Sequence, residues 1–313
     1  MNNRCEVFCV GNAVADVLAR PVESLPAPGG SLHLDHVALV PGGNGVITSI
    51  ALARLGVSVR LAAPVGNDRL GQMIRATLRA QGVNCDNVVT IKDASTASTV
   101  VLVQNNGERR LLHFQGASAS LSVKHLDWSR LEGARIFHYA TAFSMPALDG
   151  APLVAVMARA RKMGCTTSVN VCWDQHGRWL SLLRPALAYT DIIFPNHDEG
   201  FELTGEKDPD AIAAFLRKAG VQTAVVKMGA EGCYVDGPEG TFTAPGFRVT
   251  PVDTTGAGDC FAAGFLAALC RGQNLQQAAR FANATGALAT LTMGGSDAAP
   301  TLEQVTAFIT DQG

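Results

Sequence analysis

Several features that would place a protein in a class at once are scarce or missing from this 313-residue chain. Aromatic residues make up only 6% of it, too few for the stacking platforms that grip single-stranded nucleic acid. Lysine and arginine (25) are balanced by aspartate and glutamate (27), and the net charge of −2 leaves no basic face for nucleic acid or an anionic membrane. No run of about 18 apolar residues occurs, so no membrane-crossing helix is expected. The N-terminal apolar stretch is short, carries Glu6 and is soon followed by Asp16, which does not suit a secretory leader. None of the eight cysteines forms a Cys-x-x-Cys pair, and no His/Cys cluster has zinc spacing. The Gly-x-x-x-x-Gly-Lys-Ser/Thr loop of P-loop enzymes is absent. So is the dinucleotide fingerprint: Gly256 and Gly258 lie late in the chain, and Phe261 stands where the third glycine belongs.

What remains is a large core. Hydrophobic residues reach 47% and charged residues only 17%, the composition of a soluble metabolic protein rather than a disordered one. Cysteines inside apolar runs, as in Val169-Asn170-Val171-Cys172, read as small buried hydrophobes, and a reducing cytoplasm is the expected location.

Residues 7–10 form an apolar run that ends at Gly11, a buried strand entering a turn. Residues 45–55 have a helix pattern closed by Gly56, residues 57–63 are strand-like, and residues 71–81 are an amphipathic helix closed by Gly82. Residues 99–103 and 110–114 flank Asn105-Asn106-Gly107, which predicts a hairpin with a tight turn. After residue 130, strand and helix patterns alternate: strands at 135–139, 166–171, 192–194 and 224–228, and helices at 152–163, 211–219, 259–270 and 275–290. Such alternation predicts an α/β fold, a doubly wound and mostly parallel sheet with helices on both faces. The early β-rich pieces have no helices to cover them and predict a small accessory β-sheet. One domain, 1–313, is expected, with a β-lid formed by inserted segments at about 14–40 and 96–116.

The sharpest segment is Val252-Asp253-Thr254-Thr255-Gly256-Ala257-Gly258-Asp259, which leads into a helix apolar on nearly every side. Unpaired amides at a helix N-terminus attract anions, and Gly256, Ala257 and Gly258 lack the bulk to keep a phosphoryl group away. An acid in a first helical turn can simply complement the helix dipole. The glycines, the threonines and the buried helix favour a functional carboxylate at Asp259 instead, one that accepts a hydroxyl proton beside the transferred phosphate.

These residues resemble the signature of the ribokinase-like (PfkB) carbohydrate kinase family. Pro41-Gly42-Gly43-Asn44 with Ala51-Leu52-Ala53-Arg54-Leu55-Gly56 is similar to its other signature. Val65-Gly66-Asn67-Asp68 with Gly71, Gly107-Glu108-Arg109 and Pro195-Asn196-His197-Asp198-Glu199 also match, in family order and across essentially the whole chain.

The resemblance implies an ATP-dependent kinase that phosphorylates an alcohol of a small sugar or sugar derivative. Asp259 would be the base, and the Gly256, Ala257 and Gly258 amides the anion hole. Asn12, Asp16, Gly42, Gly43 and Asn44 would hold the sugar, although Asp16 could equally cap a loop. Asn196, Lys227, Gly229, Gly232 and Asn283 would serve ATP. Asn196 also suits a helix cap, and Asn283 a side chain satisfied by backbone. Glu199 would hold Mg2+ through water, and Asp253 and Thr255 match positions of a monovalent-cation site, K+ being the candidate ion. Sugar and ATP are the expected partners, with no nucleic acid, no membrane and a homodimer through the lid.

Two departures bear on specificity: Ile47 stands where relatives carry Asn, and Asn170-Val171-Cys172 where many have Asp-x-Asn. If Ile47 faces the pocket, the substrate should present an apolar or deoxy edge there, and ribose should be a poor one. A nucleoside kinase of the same family is the nearest alternative. A catalytically silent sugar-binding regulator is the other, disfavoured by the intact Asp259 and glycine turn.

Overall fold

The computed structural model describes residues 6–105 and 108–312. The first half of the chain runs β1 (Val7–Val10), β2 (Val14–Arg20), β3 (His36–Gly42), α1 (Asn44–Arg54), β4 (Val59–Val65), α2 (Arg69–Ala80), β5 (Asn84–Thr90), β6 (Ala97–Val103) and β7 (Arg109–Phe114). It continues with β8 (Ile136–Ala142), α3 (Ala151–Lys162), β9 (Thr166–Val171), α4 (Trp179–Leu187), β10 (Ile192–Phe194), α5 (His197–Thr204), α6 (Pro209–Lys218) and β11 (Thr223–Lys227). Last come the hairpin β12 (Gly232–Gly237) and β13 (Gly240–Pro245), then α7 (Ala257–Cys270), α8 (Leu275–Ala289) and α9 (Leu302–Asp311).

Nine strands pair in the order β13-β12-β11-β10-β9-β8-β1-β4-β5, parallel except for the β12 and β13 edge. Successive side chains of a strand point to opposite faces. Val7 and Cys9 accordingly join the core that holds α1, α2, α7 and α8, while Phe8 and Val10 join the core under α3, α4 and α6. This is the doubly wound architecture expected from the alternation. The chain winds outward from β1 in both directions, through β4 to β5 and through β8 to β11, so the order reverses beside β1. In open sheets of this kind a crevice opens at the carboxyl ends of the strands where the order reverses.

A separate four-stranded sheet, β3-β2-β6-β7, contains the early β-rich pieces. The hairpin joining β6 to β7 forms as expected, but Asn106 and Gly107 of its turn lie outside the described residues. One face of this sheet gathers Leu18, Val101 and Val103. On the opposite face Leu39, Val17, Val100 and Leu112 stand directly across from one another in a row.

Two glycine contacts hold the crevice together. A Cβ on Gly45 would lie 2.7 Å from the Gly11 Cα, and one on Gly11 would lie 2.5 Å from the Gly45 Cα. The end of β1 and the first turn of α1 therefore touch backbone to backbone. Likewise a Cβ on Gly264 would come within 2.6 Å of Thr285 Oγ1, so α7 and α8 pack at a distance no other residue permits. Helix propensity alone favours Ala over Gly by about 1 kcal/mol. Gly45→Ala should nevertheless destabilise the protein by about 1–3 kcal/mol, because rigid backbone rather than a pliable side chain receives the methyl. Urea unfolding checks the sign.

Candidate active site

The crevice at the switch point collects side chains from the ends of five elements. Asn44 opens α1, Thr141 is near the end of β8, Asn170 near the end of β9, Lys227 ends β11, and Asp259 lies in the first turn of α7. Asp259 is only 5% exposed. Its Oδ1 accepts from Asn44 Nδ2 at 3.0 Å and from Asn170 Nδ2 at 2.9 Å. Each amide is held from behind: Thr141 Oγ1 donates to Asn44 Oδ1 at 3.2 Å, and Lys227 Nζ donates to Asn170 Oδ1 at 2.9 Å. Fixing both amide oxygens as acceptors leaves both NH2 groups for the carboxylate. Burial pushes the Asp259 carboxyl up to about 6, opposed by Asn44, Lys227 and Asn170 and assisted by Glu199.

Gly256 precedes α7 at φ +76°, a left-handed conformation suited to glycine, and no side chain caps the helix. The Ala257 amide turns back to Thr254 O at 3.3 Å. The amides of Gly258 and Asp259 have no acceptor among the described residues. The Gly256 amide likewise has no acceptor among the described residues, so the open amides are those of Gly256, Gly258 and Asp259, with Ala257 of the expected Gly256–Gly258 segment the exception. A Cβ on Gly258 would lie 3.3 Å from Lys227 Nζ, so an ammonium and a helix N-terminus face the same small volume.

Asn196 and Glu199 form a reciprocal capping box at α5: Asn196 Oδ1 accepts from Glu199 N at 2.7 Å, and Glu199 Oε2 from Asn196 N at 2.7 Å. Burial raises the Glu199 pKa, with Lys227 pulling the other way. Among the described residues, no group of three or more His, Cys, Asp or Glu is arranged to hold a metal directly. Glu199 has one oxygen spent on the cap and one without a bond of its own, a donor set that fits a hydrated magnesium held chiefly by phosphate.

On the other side of the crevice Asp16 leans over Gly42, where a Cβ would fall 1.9 Å from its Oδ2. Burial pushes the Asp16 carboxyl up to about 6, against a hydrogen bond from Thr99. Gly43, at φ +87°, sits against the Asn12 carbonyl, and the buried Asn12 Oδ1 has no partner among the described residues. Gly229 and Gly232 shape the turn after β11; a Cβ on Gly232 would strike Ala244 O at 2.1 Å.

Three groups of residues singled out in the sequence make contacts within the protein. Asn283 spends its amide hydrogens on Ala244 O at 3.0 Å and Pro245 O at 3.1 Å, so it tethers α8 to β13. Ile47 is 4% exposed and packs against Gly256 and Gly295, so it lies in the core beside the turn before α7. The Asp253 carboxylate and the Thr255 hydroxyl, placed by the resemblance at a monovalent-cation site, are engaged by the Arg109 guanidinium. Asn170, noted in the sequence only as a departure, is a direct partner of Asp259. Thr141 carried no sequence signal at all.

A buried carboxylate, open amides at a helix N-terminus and a lysine converge at the switch point of a doubly wound sheet. That combination suits phosphoryl transfer to a hydroxyl. The chain belongs to the pfkB family of carbohydrate kinases, whose pattern matches residues 5–302. It is 31% identical over 315 residues to the ATP-dependent ribose-1-phosphate kinase of Halopiger xanaduensis, covering 98% of each chain. It is 30% identical to the probable chloroplastic fructokinase-6 of Arabidopsis thaliana, covering 96% of this chain and 81% of that one. The fold matches that of Arabidopsis thaliana ribokinase complexed with ribose and ATP, with a TM-score of 0.85, 24% identity and coverage of 98% and 99%.

The pH dependence of stability should report on Asp259. Its folded pKa, about 6, lies above the ordinary 3.8, so its contribution is favourable when protonated and is lost as pH rises through about 6. Asp259→Asn should therefore be more stable than the wild type at pH 8 by about 1–3 kcal/mol. That advantage should shrink toward pH 4, as paired urea titrations would measure.

Proposed function

We propose that this carbohydrate kinase moves the terminal phosphoryl group of ATP to an alcohol of a small sugar or sugar derivative, with Asp259 as general base. The observation that carries the reading is the Asp259 carboxylate, fixed through one oxygen by Asn44 and Asn170 and adjacent to the open Gly258 and Asp259 amides. Its Oδ2 accepts nothing from the described residues and is the oxygen left for a substrate hydroxyl. As the hydroxyl attacks, Oδ2 takes its proton, and the amides with Lys227 stabilise charge on the transferred group.

Asp16, Asn12, Gly42, Gly43 and Asn44 hold the acceptor. Asp16 and the orphaned Asn12 Oδ1 receive its hydroxyls, while the glycines let backbone come close. Asn196, Lys227 and the Gly229–Glu231 turn serve the nucleotide. Magnesium bound to the phosphates would neutralise their charge through a water shell that Glu199 orients.

A coupled ADP-release assay over sugars, sugar phosphates and nucleosides tests the class. On the best acceptor Asp259→Asn should lower kcat about 10²–10⁴-fold while ATP still binds. The wild-type kcat/KM should fall as pH drops below about 6, as the base protonates. Near-normal turnover by the variant would remove Asp259 from the role.

We further propose a homodimer through the outer face of the small sheet. The Leu39, Val17, Val100 and Leu112 row is apolar, with Leu112 58% exposed, and a two-fold axis would set one such row against another. Leu112→Glu should shift the protein to monomer in analytical ultracentrifugation without unfolding it.

A further inference from the structure

Asp253 and Thr255 sit on the turn that delivers the chain into α7. Asp253 Oδ1 accepts from Thr255 N at 2.9 Å and from Thr255 Oγ1 at 2.6 Å, and Asp253 Oδ2 accepts from Gly294 N at 3.0 Å. Arg109, the first residue of β7, reaches this turn from the other sheet. Its Nη1 donates to Asp253 Oδ1 at 3.0 Å and also to Thr255 Oγ1, while Nη2 donates to Thr254 Oγ1 at 3.0 Å. The pair is partly shielded, with side-chain exposures of 31% for Arg109 and 9% for Asp253. A second arginine of the small sheet, Arg20, places Nη1 3.1 Å from Met293 Sδ on the neighbouring loop.

These contacts leave little for a dissolved ion. The side-chain oxygens that this turn could offer a monovalent cation, Asp253 Oδ1 and the Thr255 hydroxyl, already face a permanently charged guanidinium. An added positive charge would share Oδ1 with that guanidinium at contact distance, where like charges repel. The planar fork of arginine also does what a spherical ion does, drawing several oxygens of one turn to one centre.

We propose that Arg109 stands in for a monovalent cation at the catalytic turn, so that seating the small sheet, rather than binding an ion, orders the Gly258 and Asp259 amides. Arg109 is a positioning residue in this scheme. It acts on the turn and not on the reacting atoms. The proposal uses the kinase reading only for its activity assay; its stability measurements stand without it.

The test compares wild type, Arg109→Ala and Arg109→Lys in potassium, sodium and choline chloride at one ionic strength, reading both turnover and the thermal unfolding midpoint. Wild type should give the same turnover and midpoint in all three salts. Arg109→Ala should lose about 10- to 100-fold in kcat in choline, as expected for removal of a hydrogen-bonded charge, and regain most of it in potassium. Its midpoint should rise in potassium relative to choline. Arg109→Lys, which keeps the charge, should depend on the ion less than the alanine variant does. Potassium activation of the wild type with a matching rise in its midpoint would overturn the proposal. So would an alanine variant that matches wild type in every salt, or one whose lost turnover no cation restores. If no acceptor supports turnover, the kinase reading fails, and the ion dependence of the two midpoints still decides this one.

Discussion

Keeping the Asp259 carboxylate almost out of water costs stability, because a buried charge loses its hydration. The surrounding structure can be understood as the means of tolerating that loss without neutralising the group. A lysine in direct contact would pull the pKa far down and leave a weak base. Here Lys227 is set one residue back, behind Asn170, and the groups that touch the carboxylate are two neutral amides. Burial raises the pKa, the amides and the more distant ammonium lower it, and the balance falls at about 6. In the base role proposed for it, such a carboxylate is ionised at neutral pH yet retains more affinity for a proton than an ordinary exposed aspartate.

The amides can do this only if they cannot turn over, and that requirement spreads the site across the chain. Asn44 is 215 residues from Asp259 in sequence, and Asn170 is 89 away. Asn44 is placed by the Gly11–Gly45 contact, which brings the start of α1 against the end of β1. Asp259 is placed by α7, which lies close against α8 through Gly264. Ile47 closes the space between the two, its side chain resting on Gly256 and Gly295. A hydrophobic residue is reasonable there, since a polar one would need a partner in a pocket lined by backbone and glycine.

Much of the architecture was legible because strand and helix periods differ and because glycine marks the places where chains approach. The first strand, the alternation after residue 130 and the turn before α7 all follow from such signals. The elements that went unread have weak local patterns. β5 reads Asn-Cys-Asp-Asn-Val-Val-Thr and is largely polar, and α4 contains Pro185, which argues against a helix from sequence alone. At the site, residue types pointed to Asp259, Asp16 and the glycines. They could not tell a capping Asn196 from a ligand, nor show that Asn283 bonds to backbone. Those distinctions depend on which partner lies within about 3 Å, and residue spacing along a strand or helix holds no such distance. Asn170 and Thr141 were missed for the same reason: each matters through contacts with segments distant in sequence.

The division of the acids between two sheets has a further consequence. Asp16 belongs to the small sheet and Asp259 to the main body, and burial raises both carboxyls to about 6. Neither acid is fully satisfied by the described residues. On the proposed reading, an acceptor that donates hydroxyls to both would offset two desolvation penalties at once, and water, being smaller, could not span them. The geometry thus favours a polyhydroxylated molecule over water as the group presented to Asp259, which is the discrimination a kinase needs if it is not to hydrolyse ATP. Arg109 adds to the same logic, because the sheet that carries Asp16 also carries the guanidinium that holds the turn before α7. On the two proposals together, seating the acceptor and ordering the open amides become one event, since both depend on the same four strands lying against the same crevice.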